Sequence, residues 1–162
     1  MSGSSLRYVV KPGGRLSGQL RVPGDKSISH RAVMFGALAD GVTTVEGFLT
    51  GEDCLCTMKA FQAMGVSIER TGDTSLRIHG VGLHGLKSPD GPLDLGNSGT
   101  SMRLMAGLMS GQHFTSTLVG DASLSKRPMK RIIGPLEQMG ARIESNDGRS
   151  PLNILPHKHL HG

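Results

Sequence analysis

Hydrophobic and polar positions run through this chain in a changing order of periods, and that order occurs twice. A small-residue apolar run at 32–39 predicts a helix that ends near Gly41, and the β-branched stretch Val42-Thr-Thr-Val45 predicts a strand after it. Apolar positions at helical spacing over 57–64 predict an amphipathic helix closed by Met64-Gly65. A strand around Ile68, a polar turn at 71–74 and a strand at 76–79 follow. The second pass reads the same way. It has a helix at 104–109 ending near Gly111, a strand at 114–119, a helix at 132–139 closed by Met139-Gly140, a strand around Ile143, a turn at 146–149 and a strand at 152–155.

The repeat extends to the residues that open each pass. Pro23-Gly-Asp-Lys-Ser-Ile-Ser-His-Arg31 aligns with Leu95-Gly-Asn-Ser-Gly-Thr-Ser-Met-Arg103, sharing Gly-[Asp/Asn]-x-x-x-Ser-x-Arg. These copies lie 72 residues apart (Arg31 to Arg103), and the Met-Gly closures lie 75 apart (Gly65 to Gly140). Each unit reads β-α-β-α-β-β, which predicts an α/β (α+β) fold of repeated units. Repeat folds usually need at least about three units to bury a continuous core. The chain stops at His159-Leu-His-Gly162, straight after a strand, so it is expected to be a fragment of something longer.

Composition narrows the function classes. Glycine is 24 of 162 residues, about twice its usual share of ~7%, and it is spread along the chain as punctuation between short elements. No apolar run approaches the roughly 18 residues of a membrane span, and the start lacks a secretion signal, so the expected compartment is the cytoplasm. The net charge of +5 comes with only 3% aromatic residues and no extended Lys/Arg run. A base-stacking platform is therefore missing, and an anionic metabolite suits the charge better than nucleic acid. Cys54 and Cys56 are too close in sequence for an ordinary disulfide, and no second pair completes a zinc site. They read as reduced structural thiols.

The aligned segments carry anion chemistry. Each places a glycine turn before a helix, where free backbone N–H groups and the helix dipole attract negative charge. Lys26 adds a compact charge, Arg31 a fork suited to phosphate, Ser27 a hydroxyl donor, and Gly99 a bare backbone. The competing reading has Ser27, Ser29 and Thr100 capping helices while Arg31 and Arg103 form surface ion pairs. Neither loop has a Gly-Lys-Ser/Thr triplet, which disfavours a nucleotide triphosphate. Ser125-Lys-Arg-Pro-Met129 is a third basic point, with Pro128 leading into the next helix.

These two segments, with Gly120-Asp-Ala-Ser-Leu-Ser-Lys-Arg-Pro128, closely resemble the 5-enolpyruvylshikimate-3-phosphate synthases, from about Val10 to the end. The resemblance implies a fold of two domains, an inside-out α/β barrel of βαβαββ units, three to a domain, that close over the substrates. Residues 1–20 would be an N-terminal strand segment belonging to the other domain, 21–90 the first unit and 91–162 the second. The third unit and second domain would be absent. It further implies transfer of the enolpyruvyl group of phosphoenolpyruvate to the 5-hydroxyl of shikimate 3-phosphate, with release of phosphate, in the route to chorismate and the aromatic amino acids. Neither metal nor organic cofactor is implied, nor membrane or nucleic-acid partner, and the full enzyme would be monomeric.

Carried over residue by residue, Lys26 contacts both substrates and is the catalytic candidate. Ser27 and Arg31 would hold shikimate 3-phosphate, while Asn97, Gly99 and Arg127 would hold phosphoenolpyruvate. The family's acidic proton-transfer residues lie outside this stretch, so the chain is expected to be inactive alone. The related UDP-N-acetylglucosamine enolpyruvyltransferases carry a cysteine in the loop where this chain has Ala122, which favours the shikimate reading. Gly99 further implies sensitivity to glyphosate. Two other readings are a module that binds shikimate 3-phosphate or sulfate without turnover, and one half of a two-chain assembly.

Some features stay outside this scheme. His157, His159 and His161 would share one face of a strand and read as an exposed end rather than a metal site. His30 reads as a packing or hydrogen-bonding residue, and Met102, Met105 and Met109 as core.

Overall fold

A computed structural model describes residues 7–156 and 159–162. In chain order the elements are α1 (Lys26–Leu38), β1 (Asp40–Val45), α2 (Glu52–Ala63), β2 (Ser67–Arg70) and β3 (Leu76–Val81). The second pass follows with β4 (Leu93–Asp94), α3 (Gly99–Ser110), β5 (Ser116–Val119), α4 (Lys130–Gln138), β6 (Arg142–Asn146) and β7 (Arg149–Leu155). One turn of 3-10 helix, Leu124–Lys126, lies between β5 and α4.

Each pass builds its own sheet. The first is antiparallel, in the order β1-β3-β2, and the second runs β4-β5-β7-β6 with β4 parallel to β5. Equivalent isoleucines pair in both: Ile68 faces Ile78 in one sheet and Ile143 faces Ile154 in the other, all four buried. The two Met-Gly closures end helices as expected. Met64 and Met139 are the C-caps, and Gly65 and Gly140 follow in the left-handed region at φ +88° and +99°. The β6–β7 turn is Asp147-Gly148, both at positive φ, as a two-residue hairpin requires.

The core joins the two passes. Phe48, Phe61 and Met64 from the first lie in the same buried cluster as Met102, Met105 and Met109 from α3. Fully burying a side chain of this size contributes ~1.5–3 kcal/mol, and sharing one core lets two units support each other. Helix α2 also packs against β4 of the following unit.

Two expectations change. The second pass has all six elements, but the first lacks its leading strand: residues 7–25 form no regular element, and Tyr8, Val9, Val10, Leu16, Leu20 and Val22 are exposed. In the second pass the equivalent strand, β4, exists because it pairs with β5. The first two helices also start earlier than their apolar stretches suggest, as does α3. Asp25 caps α1 by accepting a 2.7 Å hydrogen bond from Ile28 N–H, and Ser98 caps α3 by accepting from Ser101 N–H at 3.1 Å. The later part of each aligned segment is therefore helix, and its Ser and Arg ride on the first two turns.

Candidate functional site

Capping decides where the charged side chains begin. With Asp25 as N-cap, Lys26 and Ser27 are the first residues of α1 and Arg31 lies one turn further on. With Ser98 as N-cap, Gly99 opens α3 and Arg103 takes the position equivalent to Arg31. Both arginines fold back in the same way. Arg31 donates to the carbonyl of Ser27 at 3.1 Å, and Arg103 to that of Gly99 at 3.0 Å.

This arrangement corrects the alternative of surface serine caps and ion pairs. Ser27 and Thr100 are not the caps. Ser29 is buried, donates to the Asp25 carbonyl at 2.7 Å and accepts from Leu49 N–H at 3.0 Å. Among the described residues neither Arg31 nor Arg103 has an acidic partner, and the Ser27 hydroxyl has no intramolecular hydrogen bond.

Lys26 does have a partner that sequence reasoning missed. Its ammonium pairs with Asp53, in the first turn of α2. Acidic residues at a helix start were a readable signal, because they complement the dipole; that one would face Lys26 was not. A cleft of about 340 Å³ is lined by Lys26, Leu49, Gly51, Glu52, Asp53 and Cys54. Another, of about 320 Å³, reaches from Glu52 and Cys56 to Gly96 and Asn97. The start of α2 thus borders clefts reaching both aligned segments.

The three donor-side candidates come together. Arg127 donates to the side-chain carbonyl of Asn97, whose amide in turn donates to Asp121 at 2.7 Å. A Cβ placed on Gly99 would lie 2.7 Å from a terminal nitrogen of Arg103 and 3.2 Å from one of Arg127. Two guanidinium groups therefore converge on one bare backbone position, with Asn97 fixing the second of them. Such a fork arrangement suits a carboxylate or phosphate. Asp121, to which the resemblance assigns no role, also accepts from Leu124 N–H at 2.7 Å. That backbone bond, the Asn97 amide and the nearby Arg127 hold its carboxyl below the usual carboxylate range.

The comparisons with known proteins show the family. The family model for EPSP synthase (3-phosphoshikimate 1-carboxyvinyltransferase) matches residues 10–161. The chain belongs to the EPSP synthase family. Among curated relatives, the 3-phosphoshikimate 1-carboxyvinyltransferase of Hydrogenovibrio crunogenus is 59% identical over 98% of this chain and 36% of its own length. That of Methylococcus capsulatus is 60% identical over 100% of this chain and 37% of its own. The EPSP synthase structure from Acinetobacter baumannii superposes with a TM-score of 0.85 at 56% identity, covering 90% of this chain and 33% of that one. The chain thus spans about a third of the length of the EPSP synthases it matches. The inside-out α/β architecture that the resemblance implies is the one this family has.

The remaining candidates fall into place more simply. Both cysteines are free thiols; burial pushes each above the usual thiol value, Cys54 being buried and Cys56 partly so. Met102, Met105 and Met109 are core. His157 lies outside the described residues, which leaves the histidine alternation at the chain end undescribed. No helix among the described residues is long and apolar enough to cross a membrane.

Proposed function

We propose that this chain supplies part of the substrate cleft of an enzyme that transfers the enolpyruvyl group of phosphoenolpyruvate to the 5-hydroxyl of shikimate 3-phosphate, releasing phosphate. One observation carries the reading: the Arg103 and Arg127 guanidiniums converge on the bare backbone of Gly99 while Asn97 holds Arg127. Phosphoenolpyruvate, with a carboxylate and a phosphate, is an anion that such a pair of forks can take. Its relatives' name, 3-phosphoshikimate 1-carboxyvinyltransferase, supports the acceptor.

In this reading Asn97, Gly99 and Arg127 bind the donor, and Ser27 and Arg31 bind the phosphate of the acceptor. Lys26 lies between the two roles. Bringing two polyanions into contact requires positive charge in a closed cleft, and Lys26 is placed to stabilise charge that develops as the enolpyruvyl group moves. Substrates displacing Asp53 from Lys26 would release that charge where it is needed. Residues 1–20 would belong to the other domain of the complete enzyme, 21–90 and 91–162 being the first two units of this one. The enzyme would work in the cytoplasm.

Phosphate release tests the reading in two arms. The protein expressed at the full length of its relatives is expected to turn over the substrate pair, and the isolated chain is expected not to, because other parts of the cleft are missing from it. Calorimetric titration of the chain with shikimate 3-phosphate separates partial binding from none. Absence of turnover at full length would sink the proposal.

A further inference from the structure

Behind the site lies a closed circuit of polar side chains that the proposed function does not use. His30, on α1 between Ser27 and Arg31, is completely buried. Its Nδ1 lies 2.9 Å from the Thr57 hydroxyl on α2. That hydroxyl lies 2.7 Å from Ser101 Oγ on α3, which lies 2.8 Å from Ser98 Oγ. Ser98 Oγ is 3.4 Å from His30 Nε2 and closes the ring. Thr57, Ser98 and Ser101 are all buried as well. Longer contacts run from Ser101 Oγ to Nδ1 at 3.2 Å and from Thr57 Oγ1 to the Asp53 carbonyl at 3.3 Å.

Two circulations of protons let every member donate once and accept once, and the geometry of the Ser101–Ser98 contact, in which Ser101 Oγ donates to Ser98 Oγ, selects one of them. Nδ1–H donates to Thr57, Thr57 to Ser101, Ser101 to Ser98, and Ser98 to the lone pair of Nε2. Ser98 Oγ already accepts from Ser101, both O–H and backbone N–H. With Ser101 donating to Ser98, a proton on Nε2 would point at that oxygen and leave the Ser98 hydroxyl hydrogen without its acceptor. Buried polar groups left unpaired are costly, and a fully satisfied ring is correspondingly rigid.

The ring joins the two halves of the site. His30 and Arg31 are adjacent, Ser98 adjoins both Asn97 and Gly99 and caps α3, and Thr57 lies one helical turn beyond Asp53, the partner of Lys26. We propose that His30, as the neutral Nδ1–H tautomer, is a positioning residue that locks the start of α1 to the start of α3 and so sets the spacing between the acceptor and donor sites. The charged groups around it agree. Lys26 and Arg31 on α1 oppose a second positive charge, Asp53 on α2 weakly favours one, Cys54 on α2 sits 4.0 Å from Nε2, and α3 presents only the two serine hydroxyls. Burial is the largest influence and lowers the imidazole below its ordinary value of 6.5.

The kinetic part of this proposal rests on the transferase reading, but the ring itself can be tested without it. Long-range nitrogen–proton NMR on the 162-residue chain is expected to show His30 neutral and protonated at Nδ1, and to remain so as the pH falls through 6.5. An imidazolium or an Nε2–H tautomer at neutral pH would overturn the proposal, whatever the enzyme does.

In the full-length protein, His30→Leu is expected to lower kcat by roughly 10- to 100-fold while each KM moves much less, because sites that are individually intact become misaligned. His30→Asn, which can still donate towards Thr57, should recover part of the loss. Thr57→Val, nearly isosteric, should show the same pattern more weakly and serves if His30→Leu does not fold. Unchanged kcat in the folded variants, or losses that follow melting temperature with no recovery by Asn, would reduce His30 to a packing residue. If the wild-type protein has no transferase activity, the transferase reading fails and the NMR result alone decides the ring.

Discussion

Arg127 donates its guanidinium hydrogen to the side-chain carbonyl of Asn97, thirty residues earlier, and by this bond the turn before α4 is tied to the turn before α3. Neither residue touches the other through secondary structure. The contact exists because β4 and β5 run parallel, bringing the segments that leave their ends side by side. A glycine between the two arginines keeps the space in front of them open.

That space makes Gly99 a selectivity position. Gly99→Ala would bring a methyl within 2.7 Å of Arg103 and 3.2 Å of Arg127, both of them ends of flexible side chains. The fold should therefore tolerate the change, and the arginines should shift by a few tenths of an ångström. A donor mimic bulkier than phosphoenolpyruvate, such as glyphosate, is expected to lose more affinity than the donor itself. Parallel measurement of the glyphosate inhibition constant and the donor KM checks this, and equal changes would refute it.

Asp121 is expected to act on the donor through Asn97. Asp121→Asn keeps an acceptor for Leu124 N–H but weakens the hold on the Asn97 amide, so donor affinity should fall about 3- to 10-fold with little change in melting temperature. The pH dependence has a definite sign. The folded-state carboxyl titrates below its ordinary value of 3.8, so its contribution is complete above 3.8 and is lost as pH falls through the lower folded value. Donor titrations of wild type and variant should differ near neutrality and converge only in strong acid.

Lys26 should matter for binding far more than for folding. Its side chain is 51% exposed and its partner Asp53 19%, so the ion pair contributes at most about 1 kcal/mol to stability. Lys26→Met is expected to shift the urea midpoint slightly while cutting affinity for shikimate 3-phosphate at least tenfold, roughly the effect of removing a charge-assisted hydrogen bond. A large stability loss with unaltered binding would reverse the assignment.

Phe61 has the opposite profile. It is fully buried in the core shared by both units, and Phe61→Ala should cost ~3–5 kcal/mol in urea unfolding. Because one core serves both sheets, unfolding should remain a single transition. Two separated transitions would mean that the units fold independently.

Much of this was readable along the chain. The Met-Gly closures, the Ile68 and Ile143 strands, the polar turns and the methionine face of α3 all follow from local periods and capping chemistry, which need only near neighbours. The paired segments were visible too, because two units of one repeat place equivalent residues at a constant offset. Less accessible were the partners. Asp53 beside Lys26, Asp121 beneath Asn97 and Ser101 against His30 lie 27, 24 and 71 positions away in sequence. No local signal specifies which distant side chain will meet them.

The amino-acid sequence by itself therefore determined the repeat, the positive charges of its paired segments, and the bare backbone at Gly99. Tertiary structure decided which of those groups face one another: Arg127 with Asn97 and Gly99, Lys26 with Asp53, and His30 with Ser98 and Ser101 at the start of α3. It also left the first unit without its leading strand, since a strand forms only against a partner and residues 7–25 have none among the described residues. Periodicity is a property of neighbours in the chain, whereas a binding site is a property of neighbours in space.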